Sequence, residues 1–218
     1  MSKKVAVVLA GCGVFDGAEI HESVLTLLRL DQLGADVTCL APNVEQMHVV
    51  NHLSGEVVDG VTRNVLVEAA RIARGEIRDI ATASAEEFDA VIVPGGFGAA
   101  KNLCTFAVDG PEMTVNAEFS AFMQAAKSAG KTIGLMCIAP AMSAKLLGEG
   151  VTCTIGCDAE TAVAVEATGA RHENCTVGNI VYDETNKLVS TPAYMLADGI
   201  AEAATGINAL VEKVIEIC

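Results

Sequence analysis

Cys137 stands directly after the apolar run Thr132-Ile-Gly-Leu-Met136 and directly before Ile138-Ala-Pro140-Ala-Met-Ser-Ala-Lys-Leu-Leu147. A short continuous apolar run reads as a buried strand, and a proline this close to the start of the next segment is tolerated only in a helix's first turn. The spacing therefore predicts a sharp strand-to-helix turn, a nucleophile elbow, with the thiol facing unpaired backbone amides. Amides and a helix dipole favour an anion, so the Cys137 thiol is expected to have a lowered pKa and to act as a nucleophile. The plainer alternative is one more small core residue among eight cysteines, and the neighbouring motifs decide between the two.

Two segments elsewhere carry groups that a thiolate would use. Pro94-Gly95-Gly96-Phe97-Gly98 leaves a strand end with amides that no bulky side chain shields, so it can donate to a developing oxyanion. Glu19 lies beside the loop after the first strand, where a carboxylate can hydrogen-bond a thiol or shuttle protons. The same glutamate also fits a capping box begun by Asp16. His21 reads as an ordinary solvent-facing histidine of a first helical turn.

The elements that must position these groups follow from periodicity. Val5–Leu9, Val37–Ala41, Ala90–Val93 and Thr132–Met136 read as buried strands, and Ile20, Val24, Leu27 and Leu28 recur at helical spacing up to Gly34. Helices are expected over 62–74 and 114–129, with an insertion or hairpin in 42–60. Further on come strands at Val151–Ile155, Ile180–Asp183 and Leu188–Thr191 and a helix near Ala159–Ala167. A last helix follows, whose face is Leu196, Ile200, Ala203, Ile207, Val211 and Val214. Regular alternation of strand and helix implies right-handed crossovers and a doubly wound, mostly parallel α/β sheet. In such a sheet the loops 11–17, 94–98 and 136–140 share the rim at the carboxyl ends of the strands.

Composition narrows the function classes. At 218 residues, one domain is expected over 1–218. The net charge of -14 would repel a nucleic-acid backbone, and no basic cluster offsets it. The longest uncharged stretch near the site, 132–144, is too short to span a bilayer, and Met-Ser-Lys-Lys leads straight into the first strand without a signal-peptide pattern. A soluble intracellular protein with mostly reduced cysteines is expected. Cys153 and Cys157 lack partners at zinc-site spacing, so no metal is expected. Gly11-Cys-Gly13 before a helix is a weak dinucleotide signal, since the third glycine comes late, at Gly17, and no acidic residue ends the second strand.

Taken together, Gly11-Cys-Gly-Val-Phe-Asp-Gly-Ala-Glu-Ile-His-Glu22, Val93-Pro-Gly-Gly-Phe-Gly-Ala-Ala-Lys-Asn102, Met136-Cys-Ile-Ala-Pro140 and Ser190-Thr-Pro-Ala-Tyr194 closely resemble a known set. It is that of the ElbB-type glyoxalases, in the PfpI-like branch of the class I glutamine amidotransferase-like superfamily. The likeness runs nearly end to end. It implies a flavodoxin-like three-layer sandwich, a homodimer in the cytosol, Cys137 as nucleophile, Glu19 as its carboxylate partner and the Gly96 amide as oxyanion donor. It also implies conversion of glyoxal, a small dicarbonyl, to glycolate without a cofactor.

That activity suits the residues: a thiolate would attack the aldehyde carbon, and the oxyanion would rest against the amides of Gly96 and Ile138. A glutaminase needs a histidine late in the chain, and after His172 there is none; Thr191-Pro-Ala193 stands where it would be expected. The rival reading is a non-enzymatic or redox-sensing protein whose reactive cysteine is read by a partner.

Overall fold

The computed structural model describes residues 2–218. The chain opens with β1 (Lys4–Val8), α1 (Ile20–Gln32) and β2 (Asp36–Ala41). A small hairpin of β3 (Val50–Asn51) and β4 (Glu56–Val57) occupies the segment expected to hold an insertion. Next come α2 (Val65–Ile72), β5 (Ile77–Asp79), β6 (Ala90–Val93), a short α3 (Phe106–Asp109), α4 (Ala117–Ser128) and β7 (Thr132–Met136). The last part holds α5 (Ser143–Leu147), β8 (Thr152–Cys153), α6 (Ala159–Ala167), β9 (Arg171–His172), β10 (Val181–Asp183), β11 (Leu188–Thr191) and α7 (Ile200–Ile217).

Seven strands form one sheet in the order β10-β11-β7-β6-β1-β2-β5, parallel throughout except for β10 at the edge. Strands β1, β6 and β7 are Val, Ala, Ile and Leu-rich because helices cover both faces. Leu30 of α1, Val65 and Ala69 of α2, and Ala203, Ile207, Leu210 and Val214 of α7 fill one face. Phe119, Met123 and Ala126 of α4 and Leu146 and Leu147 of α5 fill the other. Each large apolar side chain so buried contributes about 1.5–3 kcal/mol. The fold is thus the expected α/β three-layer sandwich with a mostly parallel sheet.

The chain leaves β1 towards β2 and β5, then returns to β6, so the strand order reverses between β1 and β6. A crevice opens outside the carboxyl ends of the strands at such a reversal. The three segments with chemical potential all reach it.

Of the four apolar positions whose spacing marks helix α1, Leu27 packs against the core and the other three do not. Ile20, Val24 and Leu28 point outwards and remain roughly half exposed, while Glu22, Ser23, Thr26 and Leu30 are buried. Polar groups can face inwards because each has a partner: Ser23 Oγ donates to the Glu19 carbonyl (2.7 Å), and Thr26 Oγ1 approaches Met136 Sδ (3.8 Å).

Other differences have local causes. Asp16 does not cap α1; its Oδ2 accepts from the Val50 amide (2.7 Å) and ties the loop after β1 to the hairpin. The cap is Glu19, whose carboxylate accepts from the Glu22 amide (2.6 Å). Val151–Ile155 shrinks to β8, which pairs with β9 outside the main sheet. β5, only three residues long, has too little periodicity to be read from sequence. Leu196 lies before α7, in the turn that follows β11.

Candidate active site

Cys137 follows β7 with φ of 60°, a left-handed conformation that costs a non-glycine residue about 1–3 kcal/mol. The surroundings hold it there. Its amide donates to the Thr191 carbonyl (3.0 Å), extending the β7–β11 ladder by one bond past the strand. The residues after it form a 3₁₀ turn, Ala139–Met142, with Pro140 in its first turn, and then the five-residue α5.

The carboxylate at the thiol is Glu22. Its side chain is wholly buried and hydrogen-bonds the Cys137 thiol. Its Oε2 accepts from the Gly95 amide (2.8 Å) and its Oε1 from the Tyr194 amide (3.2 Å). One carboxyl therefore joins α1 to the ends of β6, β7 and β11. Burial and the neighbouring Glu19 carboxylate raise its pKa from 4.5 to about 7. Glu19, the residue singled out by its place beside the first loop, caps α1 and lines the cavity above Cys137 instead of bonding the thiol.

The other expected groups do converge. The amides of Gly96 and Ile138 both hydrogen-bond the Cys137 sulfur and favour its anion. Gly96 is held at φ of 89°, and a Cβ there would lie 2.5 Å from the Glu19 amide nitrogen. That close approach fixes the turn: the Glu19 amide donates to the Gly95 carbonyl (2.9 Å) and the Phe97 amide to the Val14 carbonyl (2.7 Å).

The lowered thiol pKa expected from a helix N-terminus is not what the surroundings give. Burial first, then the charge of Glu22, push Cys137 well above its ordinary value, and the two amides only partly oppose this. The helix is too short for a strong dipole and the thiol too deep in the protein. Cys137 and Glu22 titrate together: as pH rises through about 7 Glu22 gives up its proton, and one proton then remains on the pair. Burial also pushes Cys39, Cys104 and Cys153 up, to about 11. All eight cysteines are free.

From sequence alone, Tyr194 has no role and His21 reads as an ordinary solvent-facing histidine. Tyr194 follows Ala193, another residue at positive φ (44°), in the turn after β11. Its hydroxyl lies 2.7 Å from His21 Nδ1, and the ring lines the cavity with Cys137. Burial, then the charges of Glu19 and Glu22, raise its pKa. The segment that lacks a histidine thus presents a tyrosine, and a histidine reaches it from α1. The visible signal was the Thr191-Pro-Ala-Tyr194 motif itself.

A parallel sheet carrying a strained cysteine on an elbow, under the amides of a glycine turn, gives the protein the fold of the DJ-1/PfpI-type α/β proteins. DJ-1β from Drosophila melanogaster shares this fold, with a TM-score of 0.55 at 20% identity over 99% of this chain and 95% of that one. The chain belongs to the ES1 family of glutamine amidotransferase-like class 1 domain proteins.

The human glutamine amidotransferase-like class 1 domain-containing protein 3, mitochondrial, is 48% identical over 223 positions, covering 98% of this chain and 83% of that protein. The zebrafish ES1 protein, mitochondrial, is 34% identical over 207 positions, covering 88% of this chain and 76% of that one. A solved structure from Ehrlichia chaffeensis, described as an isoprenoid biosynthesis protein with an amidotransferase-like domain, superposes with a TM-score of 0.91. It is 38% identical, covering 99% of this chain and all of that one. No family model matches the chain.

These names correct the expectation of a cytoplasmic protein: the human, rat and zebrafish relatives are all called mitochondrial. Charge, hydropathy and reduced cysteines do not distinguish the two compartments.

Proposed function

We propose that the protein is a cofactor-independent glyoxalase that converts glyoxal to glycolate at Cys137, with Glu22 as its acid and base. The observation that carries this reading is the buried thiol–carboxyl pair beneath two backbone amides, opening onto a cavity. The sulfur, as thiolate beside protonated Glu22, bonds the aldehyde carbon, and the oxyanion is stabilised by the Gly96 and Ile138 amides before taking the Glu22 proton. The carboxylate so formed removes the C1 hydrogen as a proton, giving an enediol, and returns it to C2. C1 is oxidised to a thioester while C2 is reduced to an alcohol. Water then cleaves the carbon–sulfur bond, releasing glycolate and restoring the thiol.

Dideuterated glyoxal in ordinary water tests this. Glycolate should form without glutathione, carrying one solvent-derived hydrogen on C2, because a carboxyl proton exchanges. Absence of glycolate would overturn the reading, and complete retention of deuterium would remove Glu22 from the proton transfer.

Glutamine hydrolysis is disfavoured, since no histidine stands in the Thr191–Tyr194 segment beside the elbow. A homodimer is supported by the outward stripe Ile20, Val24 and Leu28, at 42%, 48% and 49% exposure on successive turns of α1. Light scattering is expected to give twice the chain mass, and Leu28→Lys to lower it towards one chain.

A further inference from the structure

The cavity over Cys137 holds about 440 Å³, in the range of sites for ligands much larger than a two-carbon dialdehyde. Its walls are mainly apolar: Val14, Phe97, Phe106, Ala107, Ile138 and Met195 surround the thiol, with Glu19, Thr161 and Tyr194 as polar side chains among them. Phe97 is 46% exposed, a large apolar surface at a mouth, and its ring is held in place by Lys101, whose ammonium lies 5.0 Å from the ring centroid and donates to the Phe15 carbonyl (3.1 Å). Neither lysine nor arginine lines the space. A carboxylate or phosphate brought to the thiol would meet Glu19, and beneath it Glu22, while the Lys101 ammonium stays at the mouth, donating to the Phe15 carbonyl.

We propose that the preferred substrate is a neutral 2-oxoaldehyde with an apolar, ring-sized side chain, bound with its aldehyde at Cys137 and its tail against Phe97 and Phe106. The proposal rests on the glyoxalase reading of the same thiol and names the substrate class. Glyoxal leaves most of the apolar wall wet, whereas a ring removes that wall from water, besides making edge or stacking contacts with the phenyl rings. The chemistry is unchanged: the sulfur bonds the aldehyde carbon, that carbon's hydrogen moves as a proton to the ketone carbon, and water releases the 2-hydroxy acid. Phenylglyoxal plus one water gives mandelate.

Two measurements test this. The kcat/KM for phenylglyoxal, followed as mandelate, is expected to exceed that for glyoxal by tenfold or more, and Phe106→Ala to bring the ratio down towards one, mostly through KM. A ratio at or below one in the unaltered protein overturns the substrate class and leaves the glyoxalase reading standing, whereas no turnover of either aldehyde overturns that reading. Acetophenone, neutral and unreactive, separates the two further. It is expected to slow alkylation of Cys137 by iodoacetamide at concentrations where benzoylformate, with its carboxylate, does not. Equal protection by both, or by neither, overturns the apolar neutral site whatever the turnover.

Discussion

Cys137→Ala and Glu22→Gln are each expected to lower kcat/KM for glyoxal by about 10³-fold, and the double variant no further than the worse single one. The residues act as one unit, buried side by side at the floor of the cavity. Without the thiol, Glu22 has nothing to protonate; without an ionisable carboxyl, the thiol loses its proton acceptor and C1 loses its base. Glu19→Gln serves as the comparison. Its side chain keeps an oxygen to cap α1, so a loss below tenfold is expected. A Glu19→Gln loss equal to that of Glu22→Gln would return the role of thiol partner to Glu19.

The same substitution has a signature in stability. The carboxyl titrates at 4.5 when unfolded and at about 7 in the native protein, so between these values the folded state binds the extra proton. Its contribution is fully present below pH 4.5 and is lost as pH rises through 7, by up to about 3 kcal/mol. Denaturant midpoints measured against pH should show wild type falling relative to Glu22→Gln across that window. A constant difference between the two would mean that Glu22 is not held protonated.

Gly95→Ala is expected to destabilise the protein by about 2–3 kcal/mol and to abolish turnover. An added Cβ would lie 2.9 Å from both Cys137 Sγ and Glu22 Oε2, and closer still to Cys137 Cβ. Relief would require parting the thiol from the carboxyl, and an error of about 1 Å in a reacting pair costs roughly 10²-fold. Thermal melts and glyoxal turnover check both halves. An active, unshifted Gly95→Ala would mean that the elbow and the glycine turn do not touch.

The alternation of strands and helices was legible because β1, β6 and β7 are buried on both faces and α4 and α7 carry apolar stripes facing the sheet. The place of Cys137 on the turn after β7 was legible for the same reason: a cysteine after a fully apolar strand and shortly before a proline has few other places to be. Its partner was not. Glu22 sits three residues beyond a glutamate that already fits a cap, and the apolar spacing of α1 draws attention to Ile20, Val24 and Leu28, the side that faces out. A polar side chain belongs in a core only when distant partners satisfy it, and those of Glu22 lie 73 and 172 residues away. Spacing carries no trace of such contacts. The thiol's raised pKa is hidden likewise, since burial depends on every element around it.

That reach sets when the catalyst comes into being during folding. Local turns and α1 can form early, but Glu22 meets its last partner only after β11 has docked beside β7 and the Thr191–Tyr194 turn has closed. Contacts spanning this much chain are slow to form, because the loop must close before any bond rewards it. Appearance of reactive geometry at Cys137 should therefore lag behind the gain of helix in a refolding experiment, making the site a reporter of the finished sheet.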